Sequence, residues 1–265
     1  MNPILSGIVL ALLLLLQIGG KAGMGGVAGT GGGPSPFNPC LVSAWPMNEG
    51  SGLTLHDTSI GGTNTATISG AGAVTWTANL IKSGVTSPSW NASGNALATS
   101  TTLTNFTGST PFSVSVWANP SPSSSTLFGT LNTGSNFIGW ELAVKSVAGP
   151  PAVATDFFLI NNYPSNAIDI QTTSTLSGLN YIVVTYDGSK TAAGSLIYIN
   201  GFVQTTSINA NTLTASTASG LPVRFGARNN ATEEFSGAMG FAEVYNCVLT
   251  PTQIATYNAA GPGIY

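Results

Sequence analysis

Two stretches leave this chain little freedom in what it can fold into. Tyr181–Tyr186 (YIVVTY) runs into Asp187-Gly188, and Leu196–Ile199 (LIYI) runs into Asn200-Gly201 before Phe202 and Val203. β-Branched and aromatic residues suit a pleated, half-buried surface. An Asn-Gly pair between two such runs marks a hairpin, because both turn residues must take positive φ. Similar short runs, bounded by Gly, Asn, Pro or Asp, recur at Leu41–Trp45, Phe112–Ala118, Ile138–Val144, Phe157–Ile160, Ala167–Thr172, Phe202–Ser207, Val223–Gly226 and Gly237–Tyr245. Almost no helical period follows them until residues 250–260, where Thr250 can cap and Pro251 fits the first helical position. Many strands with one short terminal helix predict an all-β fold, an antiparallel sandwich or barrel.

Composition narrows the class of function. Only 6% of the 265 residues are charged, 43% are hydrophobic and 33 are Gly. A disordered chain would lack the apolar content to fill a core; this one has it. Six Lys and Arg in a chain of net charge −3 cannot build the positive stripe that nucleic acid requires, so no nucleic-acid partner is expected. Neutral Ser, Thr, Asn and Gly are expected to cover the surface, as in many exported β proteins.

The N-terminus divides into two segments. Ile4–Ile18 is apolar apart from Ser6, Gly7 and Gln17. As a helix its roughly 15 residues would extend about 22 Å, short of the about 30 Å of bilayer hydrocarbon. That length and the small residues Gly20, Ala22 and Gly23 fit a signal peptide over residues 1–22, although no basic residue precedes the apolar run. An uncleaved hydrophobic anchor or assembly segment stays open, and a membrane is a partner only through residues 4–18 in that case. Residues 23–39 read as a Gly/Pro-rich linker and residues 40–265 as the folded domain. Cys40 and Cys247 stand near the two ends of that domain; in an exported protein they read as a disulfide, with two buried free thiols as the alternative.

The order of motifs resembles the laminin G-like branch of the concanavalin A-like lectin/glucanase superfamily. An aromatic is followed by acid-Gly-Ser-Gly (Trp45, then Glu49-Gly50-Ser51-Gly52), and an Asp-x-Ser turn follows at Asp57 and Ser59. Phe112–Trp117 (FSVSVW), Val183–Gly188 (VVTYDG), Tyr198–Gly201 (YING), Arg224–Ala227 (RFGA) and Ala242–Thr250 (AEVYNCVLT) continue the series. The resemblance covers about residues 41–260. It implies a jelly roll of two antiparallel sheets of about six or seven strands each, with a concave sheet and rim loops available for ligands. It also implies a rim calcium ion, for which Asp57 and carbonyls of 60–64 are the candidates; Asp57 as a turn-capping residue is the alternative. The family's acid in the last strand is Ala242 beside Glu243 here, and its Phe-Asp-Gly is replaced over residues 97–101 by LATST.

Catalysis finds little support. Glycosidases on this fold carry alternating carboxylates on one strand, since only i, i+2 and i+4 share a face. Glu233 and Glu234 are adjacent, and Asp156, Asp169 and Asp187 are isolated, so only a pair assembled from distant strands could serve. His56 is the single histidine, and no nucleophile elbow accompanies it. Not an enzyme, then, is the expectation, with no catalytic residue.

Sugar binding needs aromatic platforms beside neutral or acidic hydrogen-bonding groups. Trp45, Trp117 and Trp140 lie in strand patterns and read as core, whereas Trp76, Trp90 and Tyr163 lie in Gly/Ser/Pro/Asn-rich stretches and are the candidate ligand contacts. Asn91, Asn105 and Asn230 begin N-glycosylation sequons, relevant only in a host that glycosylates. The expectation is an extracellular or surface-displayed, lectin-like module that binds a glycan or surface polymer. A structural subunit of an extracellular filament or virion, partnered by copies of itself, is the competing reading.

Overall fold

The computed structural model describes residues 38–264, apart from 70–73, 94, 124, 135 and 148–151. The apolar segment at residues 4–18 and all but the end of the Gly/Pro-rich stretch lie outside the described residues.

In chain order the strands are β1 (Leu41–Trp45), β2 (Thr54–Leu55), β3 (Ala66–Ser69), β4 (Val74–Ala78), β5 (Thr86–Asn91), β6 (Asn95–Ala98), β7 (Phe112–Pro120), β8 (Ser125–Gly129) and β9 (Gly139–Ser146). There follow β10 (Val153–Asn162), β11 (Asn166–Thr172), β12 (Asn180–Tyr186), β13 (Ser195–Ile199), β14 (Phe202–Val203), β15 (Thr206–Asn211), β16 (Arg224–Phe225) and β17 (Ser236–Tyr245), then helix α1 (Pro251–Ala260). An eight-stranded sheet runs β14-β13-β12-β7-β17-β5-β4, with β1 also paired to β17. A nine-stranded sheet runs β15-β11-β10-β9-β8-β16-β6-β3-β2. The predicted antiparallel sandwich is therefore the observed one, with more strands in each layer than the six or seven the resemblance implied.

The extra strands are β2 to β6 and β8, short and built largely of Ser, Thr, Ala and Asn. Pairing with longer neighbours makes them strands; intrinsic preference does not. One expected strand, Phe202–Ser207, is two: β14 closes a hairpin with β13, and the chain then crosses to pair β15 with β11 in the other sheet. The Asn-Gly hairpin forms as read, with φ of 52° at Asn200 and 86° at Gly201.

Alternation fills the interior from both sheets. Val114 and Val116 of β7 and Ile182 and Val184 of β12 meet Leu142 and Val144 of β9 and Phe157 and Leu159 of β10, all buried in one cluster. Phe112, Phe128, Trp140 and Phe225 interlock within it, Phe128 standing edge-on to Trp140 at 5.5 Å. Each such side chain contributes roughly 1.5–3 kcal/mol when fully buried.

The two outer faces differ. On the eight-stranded sheet, Trp117, Tyr181 and Tyr245 form a second cluster with Leu249 and with Ile254 of α1. The helix starts as the sequence predicts, with Thr250 and Gln253 in a reciprocal capping box and Pro251 in the first turn. No second α-helix occurs among the described residues, and the outer face of the nine-stranded sheet stays accessible at its centre.

Cys40 and Cys247 form a disulfide across 207 residues, with Cα atoms 5.8 Å apart. It sits where Leu41 of β1 pairs with Tyr245 of β17, so first and last strands are neighbours and the bridge joins the ends of the sandwich. Replacing both cysteines by Ala is expected to lower unfolding free energy by roughly 2–5 kcal/mol, with the fold retained, as read by denaturant titration.

Candidate functional site

The open outer face of the nine-stranded sheet holds most of the molecule's unusual chemistry. Strand parity places Glu141, Ala143 and Lys145 of β9, Asp156, Phe158 and Ile160 of β10, and Ala167 and Asp169 of β11 on that side, opposite to the interior residues between them. Register brings them together: Phe158 lies across from Glu141 on one flank and from Asp169 on the other, and Asp156 lies across from Ala143.

Lys145, Arg224 and Arg228 are three of the chain's six basic residues, and Glu141, Asp156, Asp169 and Glu233 are four of its nine acids. Most are paired. Arg228 grips Glu141 with both Nε and Nη2, at 2.8 Å each, and lies 4.0 Å from Glu233. Burial disfavours the Arg228 cation, but Glu141 more than offsets this and its pKa is raised. Lys145 pairs with Asp156, and its ammonium also stands 4.2 Å from the centre of the Phe158 ring. Tyr163 donates its hydroxyl to Asp169 Oδ2 at 2.9 Å, and Asn209 Nδ2 donates to Oδ1 at 3.0 Å. Burial, then the Asp169 hydrogen bond, pushes the Tyr163 phenol up to about 12.

Asp156 and Asp169 are the carboxyl pair from distant sequence positions that the chain could not advertise. Both are fully buried. Burial first, then the negative charge of Asp169, raises Asp156 to about 8, against the pull of Lys145. The pair lies beneath the surface layer and presents no exposed acid–base couple to a ligand.

Above this layer lies a groove of about 330 Å³. Phe158 forms its floor, Phe137 and Tyr163 its aromatic walls, and Lys145, Arg228 and Glu233 its charged edge. Phe137 and Tyr163 are 39% and 41% exposed, whereas Phe158 is almost wholly covered. The Arg228 guanidinium stands 5.6 Å from the Phe137 ring centre, and Tyr163 meets Phe158 edge-on at 6.3 Å. Flat apolar faces beside fixed charged and hydroxyl groups make a surface on which a polar, ring-shaped ligand can stack and be held.

Of the three aromatic residues expected at a ligand, only Tyr163 belongs to this groove. Trp90 is a correction: it lies on β5, 2% exposed, inside the main core. The polar residues around it in sequence are the outward positions of a strand, not a loop. Trp76, on edge strand β4, packs against the same core and donates Nε1 to the Gly52 carbonyl at 3.1 Å. Trp45, Trp117 and Trp140 are buried as expected.

Asp57 lies elsewhere, under β1. Its Oδ1 accepts the Ala44 and Ser59 amides at 2.9 and 3.0 Å, and Oδ2 accepts the Asn64 amide at 3.1 Å, so its contacts are those of the capping role. The Asn64 carbonyl is turned to Trp45 Nε1 at 2.8 Å. His56 is exposed beside it, and Asp187 caps its own turn through the Ser189 amide. Asn91 and Asn230 are exposed, and Asn105 is half-buried with its Oδ1 on the Gly220 amide.

Sequence reading missed Phe137, Phe158, Lys145, Glu141 and Arg228. A signal was present: Glu141, Asp156 and Asp169 each interrupt an otherwise apolar strand, and a charge there must either be paired across the sheet or open to water.

A family model described as the concanavalin A-like lectin/glucanases superfamily, of laminin G type, matches residues 91–255. Among curated proteins nothing matches by sequence. Solved structures share the fold at low identity. The binding domain of Paraclostridial Mosquitocidal Protein 1 matches at TM-score 0.61 and 16% identity, over 83% of this chain and 52% of that one. The botulinum neurotoxin serotype G binding domain gives 0.56 and 16%, over 83% and 51%. This chain thus spans about half the length of those two. Domain 4 of an extracellular arabinanase from Geobacillus stearothermophilus, solved in complex with arabinotriose, gives 0.54 and 17%, over 82% of this chain and 97% of that one.

The buried pair gives the site a pH dependence with a definite sign. With Asp156 raised from 3.8 to about 8, the folded state binds more protons than the unfolded state between these values, so stability falls as pH rises through that window. The expected result is a lower melting temperature at pH 9 than at pH 5, with a smaller drop in Asp156→Asn, measured by calorimetry. At Asp57, calcium would have to compete with three amide donors; millimolar calcium is expected to shift the melting temperature by less than about 1 °C.

Proposed function

This chain belongs to the concanavalin A-like lectin/glucanases superfamily, and we propose that it works as an extracellular or surface-displayed, non-catalytic module that binds glycans through the groove on its nine-stranded sheet. The observation that carries the reading is the pairing of two exposed rings, Phe137 and Tyr163, with the charged edge of Lys145, Arg228 and Glu233 around one hollow. Sugars present apolar ring faces and a belt of hydroxyls, and this groove offers a counterpart to each. The arabinanase domain, solved with arabinotriose, supports the ligand class as a precedent on the same fold. The disulfide supports an oxidising location outside the cytosol.

Fixed geometry suits binding. Tyr163 is held by Asp169, Arg228 by Glu141 and Lys145 by Asp156, so the ligand meets side chains already ordered. Less entropy is then lost on binding.

A second reading, a structural subunit of a filament or virion, draws on a different surface. Phe202, Val203 and Ile208, on edge strands β14 and β15, are 73%, 57% and 59% exposed. Exposed apolar edge strands favour pairing between copies. Sedimentation at micromolar concentration separates the two, since a subunit must assemble and a soluble lectin need not.

Retention of the purified chain on a glycan array tests the leading reading. Tyr163→Ala and Phe137→Ala are each expected to weaken binding of the retained glycan about tenfold or more, Phe137→Ala with a melting temperature close to wild type and Tyr163→Ala with a lower one, because the buried Asp169 loses its hydroxyl donor. Unchanged affinity in both variants would place the ligand elsewhere.

A further inference from the structure

We infer that the glycan recognised is acidic, and that Arg224 takes its carboxylate or sulfate group; this rests on the glycan-binding reading above. Arg224 lies on β16, across from Leu97 on one side and Gly129 on the other, and points to the same outer face as the groove. It lines a smaller hollow of about 100 Å³ with Leu97, Pro222, Glu141 and Arg228. Arg228 and Leu131 also border the larger groove, so the two hollows adjoin across these two side chains.

Arg224 differs from the other cations on this face. Lys145 has Asp156, and Arg228 has Glu141 and Glu233. Among the described residues Arg224 has no carboxylate partner; its Nη1 donates to the neutral Asn95 Oδ1. Its Nε is shut away from solvent with no hydrogen-bond partner. Burial of the guanidinium lowers its pKa, the mark of a cation whose lost hydration has not been made good. A charged donor whose hydrogen bonds are incomplete is costly, and a guanidinium's planar N–H groups are shaped to meet the oxygens of an anion.

Charge and size point the same way. The small hollow is lined by two guanidinium groups and by Glu141, which Arg228 holds bidentately, so Arg224 is the cation there without a carboxylate of its own. Its volume equals a few waters at about 30 Å³ each, enough for one carboxylate or sulfate and too little for a sugar ring. The ring has the neighbouring groove, between Tyr163 and Phe137. An acidic sugar lying across Arg228 would fill both hollows and place its anion against the Arg224 guanidinium. A uronic acid and a sulfated sugar share this chemistry, and the test separates them.

The probe is an array of neutral, uronate-containing and sulfated oligosaccharides of matched backbones, challenged with the full chain, Arg224→Met and Arg224→Lys. One acidic class is expected to be retained at least about tenfold more strongly than its neutral counterpart, and the class identifies the anion. Arg224→Met should abolish that preference while holding neutral-glycan binding within about twofold, and Arg224→Lys should keep part of it. Equal retention of acidic and neutral glycans by the wild type, or a preference that survives in Arg224→Met, overturns the inference and leaves glycan binding standing. Retention of no glycan at all overturns both. If Arg224→Met does not fold, the wild-type ratio decides with its salt response: a preference that fades as NaCl is added supports the anion contact, and a salt-independent one refutes it.

Discussion

Side-chain alternation along β9, β10 and β11 couples the inside of this sandwich to its outside. The residues that pack the interior, Leu142, Phe157, Leu159 and Ile168, fix the register of the strands. The same register leaves Glu141, Lys145, Asp156, Phe158 and Asp169 facing the other way, so the core chooses the neighbours of every charged group on the outer face. A slip of one residue would drive three carboxylates into the hydrophobic layer. The core thus holds the charged cluster in place, and the cluster opposes misregistration.

Burying ions is expensive unless each finds a partner, and here a protein otherwise poor in charge collects several on one face. Glu141 and Arg228 meet in the bidentate geometry that best offsets desolvation. Burial and the neighbouring Asp169 raise the Asp156 pKa to about 8, against the pull of Lys145. Such arrangements add little net stability. Their effect is to fix the positions of Tyr163, Lys145 and Arg228, the residues that border the groove.

The architecture was legible in the sequence because its long strands are written in Val, Ile, Tyr and Phe and its key hairpin in Asn-Gly. Strands β2 to β6 were not, since Ser, Thr and Asn side chains on an edge or outward position look like loop residues until a neighbour pairs with them. Trp90 shows the cost of that ambiguity: read as an exposed platform, it is an inward position of β5. Tyr163 lies in a turn, as its Asn/Pro/Ser context indicates, and lines the groove. Phe158 and Arg228 stayed hidden because nothing local relates residues 70 apart; only the order of strands in the sheet does.

The chain enters the described structure at Asn38, which donates to the Tyr257 hydroxyl on α1, and Cys40 is fastened beside β17 on the helical side of the molecule. The groove opens on the opposite broad face. The point at which the described chain begins therefore faces away from the groove. The covalent staple there means that a pull on the chain at Asn38 loads β1 and β17 together instead of peeling a lone strand away.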